Sequence, residues 1–97
     1  MRRQKEKNMT DQEIKCAILK YVYDEKKAGK VAMAVLNRIA SDYDVDGKRV
    51  ISILRFLENE GLLKAATSGR VVSASDKEIT EEGIREYREK CSESKGD

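Results

Sequence analysis

This chain of 97 residues has no histidine, no proline, a single phenylalanine and only two cysteines. The missing histidine removes the side chain most often used for proton transfer near neutral pH, and the commonest metal ligand. Cys16 and Cys91 stand far apart with no CxxC pair, which excludes the usual zinc patterns. Neither thiol has a base beside it to make it a nucleophile. No glycine-rich loop joins a strand to a helix to cradle phosphate, and the carboxylates fall on solvated helix faces. An enzyme is therefore not expected, and neither is a cofactor, a metal or a small-molecule ligand. Without proline, loops are short or shaped by glycine, and helices run uninterrupted. No apolar run approaches the ~20 residues that span a bilayer, and the basic start is not followed by an apolar signal region. The expectation is a cytoplasmic protein with reduced thiols. A Cys16–Cys91 bridge, within or between chains, stays open in an organism that tolerates cytosolic disulfides.

What is present is charge, 39% of the residues, of both signs and with few aromatics. That mixture suggests a well-solvated helical globule rather than disorder, in one small domain. The net charge of +2 is too small to argue for a polyanionic partner. Its distribution says more. Residues 1–10 carry Arg2, Arg3, Lys5 and Lys7 against Glu6 alone, and residues 47–75 carry Lys48, Arg49, Arg55, Lys64 and Arg70 against Glu58 and Glu60. Residues 76–97 reverse the sign, with eight acids and five bases.

Periodicity divides the chain into a basic arm (1–9), a folded domain (10–92) and a frayed tail (93–97). Thr10 or Asp11 caps the first helix, Thr10 with Glu13 having the spacing of a capping box, and the helix runs from there to about Asp24. Ile14, Ala17, Ile18, Tyr21 and Val22 form its main apolar stripe, while Cys16, Leu19 and Tyr23 form a second, to be covered by the C-terminal helix or by a partner subunit. A polar turn over 24–30 follows, whose end suits a one- or two-residue strand. The second helix is expected over about 31–41, burying Val31, Val35, Leu36 and Ile39. Val45 is the apolar plug of the next turn. Asp46 caps a third helix over about 47–60, with Val50, Leu54 and Leu57 turned inward and Lys48, Arg49, Ser52 and Arg55 outward. Gly61 has the place of a left-handed helix stop. A hairpin comes next, in one of two registers. The simpler pairs 62–66 with 71–75 around Ser68-Gly69; the longer loops through 73–77 and ends at Ile79. Thr80 then caps a last helix carrying Ile84, Tyr87 and Cys91 on one face.

Two stretches carry a resemblance. Residues 50–63, VISILRFLENEGLL, are similar to the recognition-helix-to-strand signature of winged helix-turn-helix transcriptional regulators: spaced leucines, an acidic helix end, glycine and an aliphatic pair. Ile79-Thr80-Glu81-Glu82-Gly83 resembles the step that follows the wing in many small bacterial, archaeal and archaeal-virus regulators of this class. The resemblance covers roughly residues 12–91. It implies an α+β, mainly α fold: a three-helix core, a β-hairpin wing and a C-terminal helix. It implies sequence-specific binding to double-stranded DNA, with the third helix in the major groove and the wing (about 62–79) on the backbone, in a nucleoid-associated regulator that is a homodimer. The residues expected to meet DNA are Lys48, Arg49, Ser52, Arg55, Lys64 and Arg70. Those expected at the dimer interface are Leu19, Tyr23, Ile84, Tyr87 and Cys91. Phe56 stands where the family is usually polar. The alternative is a winged-helix protein–protein interaction module that does not bind DNA.

Overall fold

A computed structural model describes residues 9–67 and 75–92 of the chain. Helix α1 (Asp11–Lys27) starts as its sequence requires: the Thr10 side chain accepts from the Glu13 amide, and the Glu13 carboxylate accepts from the Thr10 amide. It outlasts the expected end at Asp24 by three residues, with Lys26 and Lys27 in the last turn, where the helix dipole favours cations. Ile14, Ile18 and Val22 are buried as the main stripe foresees.

The second helix does not begin at Val31. Ala32 exchanges both backbone hydrogen bonds with Lys77, so this stretch forms a β-bridge, and Ala34 sits in the left-handed region at φ 47°. Helix α2 (Val35–Tyr43) follows and has no side-chain cap from its own sequence. Its first amides are satisfied from across the fold. Ala34 N donates to Asp76 Oδ1 at 2.8 Å, Val35 N to the Ser75 carbonyl at 3.3 Å and Leu36 N to Ser75 Oγ at 3.2 Å. These bonds meet the requirement that the opening amides of a helix find acceptors. Asp76 is buried in doing so.

Helix α3 (Gly47–Asn59) opens on the Asp46 carboxylate, which accepts from the Lys48 amide. It closes before Gly61 at φ 81°, a conformation that costs glycine little and other residues more. Strands β1 (Leu63–Ala65) and β2 (Lys77–Ile79) pair antiparallel, with Leu63 opposite Ile79 and Ala65 opposite Lys77. This overturns the simpler register and also moves Lys77 from the loop of the longer one into the strand. The register sets Leu63 and Ile79 side by side in the core, each 2% exposed. Thr80 caps α4 (Glu81–Glu86) by accepting from Gly83 N, and the chain continues as a π-helical segment, Tyr87–Ser92.

The result is mainly helical with a small two-stranded antiparallel sheet. The core draws Ile14, Ile18 and Val22 from α1, Val35 and Ile39 from α2, and Val50, Leu54 and Leu57 from α3; Leu63 and Ile79 close it from the sheet. Tyr43 and Val45 pack on its edge.

The last helical stretch lies along α1. Cys16 is disulfide-bonded to Cys91, the rings of Tyr23 and Tyr87 are 5.0 Å apart, and Arg88 donates to the Tyr23 hydroxyl at 3.3 Å. Lys15 Nζ meets Glu86 Oε2 at 2.7 Å. The second stripe of α1 is therefore covered by its own chain. Leu19, expected at a dimer interface, is fully buried in the monomer core and offers a second copy no surface. Tyr23, Ile84, Tyr87 and Cys91 are half-buried against that same core.

The Lys15 ammonium, by hydrogen bond, holds the Glu86 carboxyl below its ordinary value of 4.5 in spite of partial burial. Because the folded value is depressed, the pair contributes fully above pH 4.5 and loses its contribution as pH falls through the lowered value. Urea midpoints of the wild type and Glu86→Gln should thus differ most near neutral pH and converge as pH falls through the lowered value. A gap that stays constant down that range would show the carboxylate's charge to be irrelevant.

Candidate nucleic-acid interface

Helix α3 has two unlike faces because its apolar residues recur at helical spacing. Val50, Ile53, Leu54 and Leu57 are buried, and Lys48, Ile51, Ser52, Arg55, Phe56 and Asn59 are exposed. Lys48, Ser52, Arg55 and Asn59 follow one another at intervals of three or four and so share one side of the helix. Lys48 and Arg55 form no ion pair among the described residues.

Arg55 owes that state to the hairpin. Glu58, three residues on and able to compete for it, pairs instead with Lys77 on β2. The Lys77 side chain is largely buried, so its ion pair with Glu58 ties the last turn of α3 to the base of the hairpin. Ser75 and Asp76, next to it, cap α2. Ser75, Asp76 and Lys77, three consecutive residues that lead into and begin the second strand, thus fix α2, α3 and the hairpin to one another. Sequence reading missed all three. The signal was weak: a polar tripeptide in a region that reads as loop.

Two expected cations are engaged elsewhere. Arg49 Nη2 donates to the Asp11 carboxylate at 2.7 Å and to the Met9 carbonyl at 2.8 Å, which ties the start of α3 to the start of α1. This overturns its placement on the outward face with Lys48; at 100° per residue, position 49 turns a quarter-circle away toward α1. Lys64 is exposed on β1, 3.9 Å from Glu78 on the paired strand. Arg70, and Arg2, Arg3, Lys5 and Lys7 of the basic arm, lie outside the described residues.

A cleft beside the cationic face runs between α2, α3 and the base of the hairpin, lined by Asn37, Ile51, Arg55, Glu58, Ser75 and Lys77. On the other flank, Gln12 and Lys15 of α1 border a groove with Ser52, Ile53 and Phe56. Phe56 is half exposed, hence not a core residue. Among the described residues no group of three or more histidine, cysteine or acidic side chains is placed to hold a metal ion. No described helix is long and apolar enough to cross a membrane. Comparison with family models, with curated proteins and with solved structures gave no match for this chain.

Proposed function

We propose that this chain is a winged helix-turn-helix protein that binds double-stranded DNA and regulates transcription by occupying a promoter. In this reading α2 and α3 are the helix-turn-helix, β1 and β2 the base of the wing, and α3 lies in the major groove. One observation carries it. Lys48, Ser52 and Arg55 stand exposed on a single face of α3, while the carboxylate nearest Arg55 in sequence is drawn off by Lys77. A helix rigidly backed by a core, with donors on its outer face, has the form of a major-groove reader. The site of action would be the nucleoid.

The chemistry is docking rather than catalysis. Lys48, at the helix start, reaches phosphate; Arg55, in mid-helix, has the planar fork that matches the guanine edge; Ser52 takes a base or a phosphate. Arg49 has a different role in this scheme, holding α3 against α1, and Lys64 is left for the flanking backbone.

Log affinity should fall linearly with log salt, and Lys48→Ala should flatten the slope by about one unit. Lys48→Ala combined with Arg55→Ala should weaken binding about tenfold or more, measured by fluorescence anisotropy on duplexes selected from a random library at moderate salt. Binding that is flat across the titration would overturn the proposal. So would full retention by the double variant, and loss of a protein complex in the same variant would favour an interaction module. A palindrome among the selected sequences, with half-sites about 34–36 Å apart, would report a homodimer.

A further inference from the structure

Among the described residues three large apolar side chains are exposed, Met33, Ile51 and Phe56, and the last two line different clefts. Met33 precedes α2. Phe56 lies on the flank of α3 toward α1, in the groove with Gln12 and Lys15. Ile51 lies on the opposite flank, in the cleft with Asn37 and Arg55, and is 37% exposed. Lys48 is three residues before it and Arg55 four after, so the three make one ridge along α3 with the apolar side chain between two cations. Neither cation is paired among the described residues.

We infer that Ile51 is a specificity-determining residue that packs on the 5-methyl group of thymine in the major groove, beside a guanine read by Arg55. The inference rests on the DNA-binding reading and deepens it. On the edges of the bases in the major groove, the thymine methyl is the one apolar group, and apolar side chains are its natural contacts. A β-branched side chain in a helix holds one χ1 rotamer, so Ile51 presents a defined shape rather than a mobile one. Its neighbours favour this partner over a protein surface. A protein-binding patch is contiguous and apolar, whereas Ile51 is bracketed by cations that suit phosphate and guanine. The site would therefore contain thymine next to guanine, read by consecutive turns of one helix.

The probe is a duplex selected by the wild-type protein, compared with the same duplex carrying deoxyuridine for every thymine. Removing the methyl groups should weaken wild-type binding about threefold to fivefold for each contacted thymine. Ile51→Ala, at an exposed helical position where alanine is well tolerated, should bind the thymine duplex as weakly as wild type binds the uracil duplex. It should also be indifferent to the replacement. Equal wild-type affinity for both duplexes would overturn the inference while leaving DNA binding intact. An equal loss in wild type and Ile51→Ala would also overturn it, because the methyl effect would then arise elsewhere. Failure of the wild type to bind any duplex in a salt-dependent way would instead remove the reading on which the inference stands.

Discussion

Gly83→Ala should destabilise the fold by about 3 kcal/mol or more, although alanine is the better helix former by about 1 kcal/mol. Gly83 lies in the first turn of α4 and is buried. A methyl group there would stand 2.1 Å from the Leu62 carbonyl oxygen and 2.6 Å from Ile79 Cγ1. The first neighbour is backbone and cannot rotate away. It is held in place because Thr80 N donates to that same Leu62 oxygen at 3.1 Å, and Thr80 Oγ1 donates to the Gly61 carbonyl at 2.7 Å. To admit the methyl, α4 must lift from the strand base, which breaks these bonds and uncovers Ile79. Urea denaturation would read the loss as a lower midpoint. An unchanged or raised midpoint would mean that α4 is not seated against Leu62 as described.

Replacing both cysteines by serine should lower stability by about 4 kcal/mol. The Cys16–Cys91 bridge joins residues 75 apart, and a cross-link that closes so long a loop removes much of the conformational freedom of the unfolded chain. The folded state should survive its loss, because Lys15–Glu86, the Tyr23–Tyr87 ring pair and the Arg88–Tyr23 bond still hold the C-terminal stretch on α1. A dithiol reductant should therefore lower the urea midpoint of the wild type toward that of Cys16→Ser/Cys91→Ser and leave the double variant unaffected. If the reductant moves neither, or both alike, the bridge does not carry that stability. The bond also corrects the expectation of reduced thiols and takes up the alternative left open beside it, a Cys16–Cys91 bridge within one chain.

Much of the architecture was legible because it is written in local chemistry. Thr10, Asp46 and Thr80 cap the helices they were expected to cap, since a side-chain oxygen at that spacing meets the second or third amide whatever the rest of the chain does. The leucine spacing of residues 50–57 sorted α3 into its buried and exposed faces for the same reason. Gly61 stops that helix where a residue tolerant of positive φ was needed. Lys48, Ser52 and Arg55 could thus be placed on an outer face from periodicity alone.

Other features depended on partners far away in sequence. Helix α2 begins four residues late because its capping oxygens come from Ser75 and Asp76, and Ala32 pairs with Lys77 instead of entering the helix. The hairpin register follows from seating Leu63 and Ile79 together in the core, a choice that two short apolar runs cannot make by themselves. Arg49 and Arg55 illustrate the same division within one helix. Both read as outward cations, yet one is tied to Asp11 and Met9, and the other is left exposed because Lys77 takes Glu58. Periodicity reports the direction in which a side chain leaves its helix. Which charges it meets there is set by how α1 and the hairpin pack around it, and that is a property of the assembled chain.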